Sequence, residues 1–115
     1  MKKVLQILPE LDLINGGVER GTLDVAKELI DKGFGSAIIS SGGIMADKYK
    51  YKGVSHDVID IKRKNFTNFF FLRRKFQKLL NTIKPDLVHI RSRWPAFCFN
   101  SVVKSNNIPL VTTYH

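Results

Sequence analysis

One cysteine, Cys98, occurs in 115 residues, so the chain cannot form an internal disulfide, and a reducing, cytosolic setting fits. Long apolar runs are absent too. No stretch approaches the roughly 18 apolar residues of a membrane span. The N-terminal run VLQIL is interrupted by Gln6 and ends at Pro9-Glu10, which makes a poor secretion signal. Acidic residues are scarce, 10 against 19 basic ones, and the net charge is +9. That balance leaves nucleic acid, an anionic membrane surface and phosphorylated small molecules open as partners. Neither G-x-G-x-x-G nor G-x-x-x-x-G-K-[ST] occurs, which argues against an ordinary dinucleotide-binding or P-loop protein. The sequence offers no internal repeat, low-complexity segment or linker, and its length suits one domain.

Short apolar runs alternate with amphipathic stretches. KVLQIL (3–8), GSAIIS (35–40), VSHDVIDI (54–61), DLVHI (86–90) and PLVTTY (109–114) read as strands. Between the first two, Val18, Thr22, Val25, Ala26, Leu29 and Ile30 recur at helical spacing, and Gly33 is a natural stop. A second helix is expected through Met45 to Tyr51. A third is expected from about Asn68, as its cap, to Ile83, with Phe69, Leu72, Phe76, Leu79, Leu80 and Ile83 on one face. A fourth is expected from Pro95 to Ser105. This β-α alternation predicts an α/β, Rossmann-like, doubly wound parallel sheet of about five strands in the order 3-2-1-4-5. The last strand then ends the chain with an uncovered edge, so the chain is expected to be the front part of a longer protein.

Ligands of open α/β sheets bind beyond the carboxyl ends of the strands. Three clusters fall there: Gly16-Gly17, Arg91-Ser92-Arg93 and His115. Glycines before a helix let an anionic group approach the free N–H groups of its first turn, so Gly16-Gly17 is either a seat for phosphate and sugar hydroxyls or simply a tight turn. Arginines at a strand end can hold phosphate through paired hydrogen bonds, or can form a solvated basic turn. His89, between Val88 and Ile90, reads as a packed histidine, and His56 as lying near a strand start, at the wrong edge for function. No metal-ligand spacing is evident.

Residues 62–84 contain Lys62, Arg63, Lys64, Arg73, Arg74, Lys75, Lys78 and Lys84 and no acid. On a helical projection, Phe71 points away from the core stripe, among Arg74, Lys75 and Lys78. Such a face is either an ordinary solvated surface, with Phe71 tucked into the preceding loop, or an adsorption surface for anionic lipid.

PELDLINGGVERGTLDVAKEL, the SGG after the second strand, PDLVHIRSRWPAF and PLVTTYH together resemble the N-terminal domain of family 4 glycosyltransferases, which have the two-domain GT-B fold. The similarity is closest to a bacterial subgroup linked to lipopolysaccharide or other surface-glycan assembly. The resemblance implies a retaining transfer of a sugar from a nucleotide-sugar donor to a hydroxyl acceptor, a glycan or a lipid-linked one, with no cofactor or essential metal. It assigns Gly16 and Gly17 to the donor phosphates and acceptor, and His115 to the neighbourhood of the reacting sugar. Glu19 and Arg20 open helix one within the motif, and Arg91, Ser92 and Arg93 become cleft residues. It also implies a C-terminal, donor-binding domain that residues 1–115 do not contain, so this fragment is expected to be inactive alone. The single cysteine fits a cytoplasmic location, the basic face of residues 62–84 would add a peripheral contact with the inner face of the cytoplasmic membrane, and, with no recognisable nucleic-acid motif, no nucleic-acid partner is expected. The competing readings from the residues are a non-catalytic truncated fragment and a basic nucleic-acid-binding module.

Overall fold

The computed structural model describes residues 2–9, 17–42, 52–61 and 65–113. Along them run β1 (Lys3–Ile7), α1 (Gly17–Asp31), β2 (Gly35–Ser40), β3 (Val54–Val58), α2 (Phe66–Ile83), β4 (Leu87–Arg91), α3 (Arg93–Ser105) and β5 (Leu110–Thr113). The strands form one parallel sheet in the order β3-β2-β1-β4-β5, as expected. The expected helix through Met45 to Tyr51 lies outside the described residues.

Register divides the sheet into two unlike faces. Leu5 pairs with Ala37 and Val88, and Ile7 with Ile39 and Ile90, so these six side chains share one face. All are buried against Leu72, Phe76 and Leu80 of α2 and Cys98, Phe99, Val102 and Val103 of α3. The rings of Phe76 and Phe99 meet with centroids 4.3 Å apart. Full burial of such a side chain is worth about 1.5–3 kcal/mol, so this layer is the main source of stability. The opposite face carries Gln6, flanked in register by Ile38 and His89. Helix α1 packs there through a smaller cluster of Leu8, Ala26 and Ile38, joined by Leu23 and Val54.

Several boundaries differ from those read in the sequence. Helix α2 starts earlier than Asn68, because Asn65 is its cap: the Asn65 Oδ1 accepts from the Asn68 backbone N–H at 2.7 Å. The Asn68 side chain instead donates to the Asp60 carbonyl. Helix α3 begins at Arg93 rather than Pro95, which leaves Pro95 in the first turn, where its missing N–H is harmless. Strand β3 ends at Val58, although Ile59 and Ile61 remain buried. At the end of α1, Gly33 adopts φ 86°, a left-handed geometry that favours glycine and stops the helix as expected. Lys84, in the same region at φ 52°, closes α2 before Pro85.

Candidate functional site

In a parallel sheet each following helix starts at the carboxyl edge, so the ends of β1, β2, β4 and β5 and the starts of α1, α2 and α3 lie on one side of the molecule. The polar groups of the α1 face gather there. Gln6, fully buried in the central strand, donates from Nε2 to the Thr22 carbonyl of α1 at 3.1 Å. Its Oε1 accepts twice from Arg91, from Nε at 3.2 Å and from Nη2 at 2.9 Å. Arg91 is the last residue of β4 and lies on the same face, two positions beyond His89.

Arg91 is therefore a half-buried cation whose partner is a neutral amide. No carboxylate pairs with it among the described residues. Burial pulls its pKa below the usual arginine value, but a guanidinium still remains charged at neutral pH. The result is a fixed, uncompensated positive charge with N–H groups left over for a ligand.

Glu19 supplies the opposite charge. Its spacing to Thr22 and Ala26 puts it on the buried, sheet-facing stripe of α1, one turn closer to the carboxyl edge than Thr22. It is only 9% exposed and makes no hydrogen bond or ion pair with a described residue. A carboxylate so placed normally finds hydrogen-bond donors. Arg20, the next residue, is exposed.

Ser92 links β4 to α3 with φ 102° and ψ 153°, a conformation essentially reserved for glycine. Its side chain makes no cap hydrogen bond, while its backbone N–H donates to the Thr113 carbonyl at 2.8 Å. Non-glycine residues in this region cost about 1–3 kcal/mol and cluster at functional sites. Arg93, the first residue of α3, is exposed.

Two further polar pairs border this region. His89 Nε2 lies 3.2 Å from Thr113 Oγ1, so His89 is a hydrogen-bonded, half-buried histidine, in keeping with a packing role. His56 departs from the sequence reading. It lies in the middle of β3, and its ring reaches towards the carboxyl edge, where Nε2 is 2.6 Å from Ser40 Oγ at the end of β2. The Ser40 hydroxyl also accepts from the Gly42 N–H.

Of the residues expected in the site, Gly16 and His115 lie outside the described residues. Gly17 opens α1. Glu19 and Arg91 come to the same face and the same edge, Ser92 forms the strained joint beside Arg91, and Arg20 and Arg93 are on the surface. Gln6, Thr22 and Thr113 were not anticipated. The available signal was a lone glutamine inside an otherwise apolar central strand. Among the described residues, no group of three His, Cys, Asp or Glu side chains could hold a metal ion.

On the other side of the same edge, the first turns of α2 and α3 build an aromatic cluster. Phe69 contacts Phe70, Trp94 and Phe97, with centroids 5.6, 6.5 and 5.4 Å apart, and the Arg73 guanidinium lies over the Phe69 ring. Trp94 Nε1 donates to the Ile61 carbonyl. Phe70, Phe71 and Phe97 are 57%, 62% and 68% exposed. Phe71 is thus on the surface and is not tucked away. Arg74, Lys75 and Lys78 are exposed on α2, while Lys62, Arg63 and Lys64 lie outside the described residues.

The parallel sheet order and the flanking helices define a Rossmann-like α/β domain. Residues 15–115 match the Glycosyltransferase Family 4 pattern, and the chain belongs to that family. It is also similar to the crystal structure of a glycosyltransferase from Rickettsia africae, with 32% identity and a TM-score of 0.83. That alignment covers 99% of this chain and 30% of the Rickettsia chain. The C-terminal domain of a hydrogenase from Pyrococcus furiosus shares the fold at 21% identity and a TM-score of 0.71, over 97% of this chain and 91% of its own. No curated protein matches the sequence significantly.

Proposed function

We propose that this chain is the acceptor-side, N-terminal part of a GT-B glycosyltransferase that moves a sugar from a nucleotide-sugar donor to a hydroxyl acceptor. The observation that carries this reading is the joint presence, at one sheet edge of a Glycosyltransferase Family 4 chain, of the uncompensated Arg91 cation and the buried Glu19 carboxylate. In the reaction, the bond from the sugar to the acceptor oxygen forms as the bond to the diphosphate breaks. The diphosphate leaves with the electron pair, and one of its oxygens takes up the proton of the acceptor hydroxyl. Arg91 and the start of α1 at Gly16-Gly17 meet the developing negative charge, which preorganised donors stabilise. Glu19 accepts from sugar hydroxyls, and His115 stands beside the reacting sugar. Arg20, Ser92 and Arg93 complete the cleft. Most of the nucleotide binds a second domain outside residues 1–115, and the fragment alone is inactive. Transfer proceeds with retention, in surface-glycan or lipopolysaccharide assembly.

The test is turnover by the full-length protein with a panel of nucleotide sugars and candidate glycan acceptors, with the anomeric configuration of the product read by NMR. Transfer that depends on Arg91 and Glu19 and retains configuration supports the reading. Inversion removes the retaining assignment, and turnover indifferent to both residues removes the site.

The aromatic and basic surface supports a peripheral location on anionic lipid. No helix among the described residues is long and apolar enough to cross a membrane. Phe70, Phe71 and Phe97 instead supply apolar anchors beside the cations of α2, and a lipid-linked acceptor would make that contact useful. Binding to anionic but not to neutral vesicles, lost in a Phe70→Ser/Phe71→Ser variant, is the expected result. Equal binding to both vesicle types, or none, would sink this placement, and saturable binding to unrelated oligonucleotides at physiological salt would favour a nucleic-acid partner.

A further inference from the structure

The proposed role of Arg91 leaves unexplained why a fully buried glutamine sits in the middle of the central strand. Its neighbours in register are Ile38 and His89, and an aliphatic side chain would fill the position without polar groups to satisfy. Each end of the Gln6 amide is used. Nε2 is tied to the Thr22 carbonyl of α1, which fixes the orientation of the amide and turns Oε1 towards β4. There Oε1 receives both Nε and Nη2 of Arg91.

A carboxylate in the same place would hold the guanidinium as firmly, but it would cancel its charge. An apolar residue would leave the charge but not the orientation. The amide does one without the other.

We infer that Gln6 is the positioning residue of the cleft: it locks Arg91 through a neutral acceptor, so that the guanidinium stays oriented, desolvated and charged for a phosphate group. This rests on the reading of Arg91 as an anion receptor. The phosphate chemistry is shared by a donor diphosphate and a phosphorylated acceptor.

The experiment uses the full chain with the Arg91 Nε–H resolved by NMR, titrated with inorganic pyrophosphate and, separately, with inorganic phosphate. Gln6→Leu is expected to broaden the Nε–H signal by solvent exchange and to weaken pyrophosphate binding roughly tenfold, the scale of one charge-assisted hydrogen bond. Gln6→Glu is expected to keep the signal sharp and yet to weaken binding at least as much, because the charge is cancelled. This pair of responses separates positioning from packing, since a merely structural Gln6 would change the melting temperature and leave affinity alone. If Gln6→Leu does not fold, Gln6→Glu and Gln6→Met carry the same test. Tighter binding of pyrophosphate than of phosphate points to the donor diphosphate, and equal binding to a single phosphate group. Should Arg91→Met abolish binding while every Gln6 variant binds as the wild type does, the positioning role is overturned and the anion site stands. Should Arg91→Met leave binding unchanged, or should the wild type bind neither anion, the anion site itself is overturned.

Discussion

The two faces of the sheet are built from alternate residues of the same strands, yet they do different work. Towards α2 and α3, Leu5, Ile7, Ala37, Ile39, Val88 and Ile90 form an unbroken aliphatic layer. Towards α1, the same strands present Gln6, Ser40, His89 and Arg91, each tied to another polar group, around a small apolar cluster. A fold assembled this way keeps its stability and its chemistry apart. The first face can be close-packed because it holds no charge, and the second can hold a charge because the first supplies the stability.

Substitutions on each face test that division. Phe99→Ala, on the dry face, should lower stability by about 3–5 kcal/mol in a denaturant titration, because it opens a cavity against Phe76. Arg91→Met, on the polar face, should cut the proposed sugar transfer about 100-fold, near 2.7 kcal/mol of barrier, and should cost only about 1–3 kcal/mol of stability, below Phe99→Ala, because the buried Gln6 Oε1 loses its donor. A large loss of stability from Arg91→Met, or a normal melting curve for Phe99→Ala, would break the comparison. Ser92→Gly, at the joint between the faces, should raise stability by about 1 kcal/mol by relieving the φ 102° backbone, whereas Ser92→Ala should not. The smallest effect concerns Cys98 on the dry face. Burial raises its thiol to about 11, partly offset by Arg73. The folded state thus favours the protonated thiol. That contribution is intact below pH about 9, the unfolded value, and is lost as pH rises towards 11. Thiol labelling of the native protein at pH 8 should be slow, and rapid labelling would show this layer to be open.

The dry face was legible in the sequence. Leu5, Ile7, Val88 and Ile90 alternate along apolar runs, and Leu72, Phe76 and Leu80 recur at helical spacing on α2. Both patterns follow from the 2.0 and 3.6 residue periods of the backbone. The caps were less legible. Asn65 and Asn68 are the same residue type three positions apart, and only the path of the chain entering α2 chose Asn65. His56 illustrates a similar limit: its register against Ile38 and Ser40 decides which edge its ring reaches.

Local pattern determined that this chain forms a parallel α/β sheet, where its described helices and strands fall to within a few residues, and that arginine and serine stand at the end of β4. Each of those follows from backbone period, turn chemistry and side-chain polarity within a few residues. Tertiary structure decided that Gln6 and Arg91, 85 positions apart, share two hydrogen bonds. It also decided that Glu19 lies buried on the same face as Arg91, and that Phe70, Phe71 and Phe97 stay on the surface. Those outcomes depend on which strands become neighbours and on what register they take. That choice is made by burial of the whole apolar layer at once, and no single segment contains it.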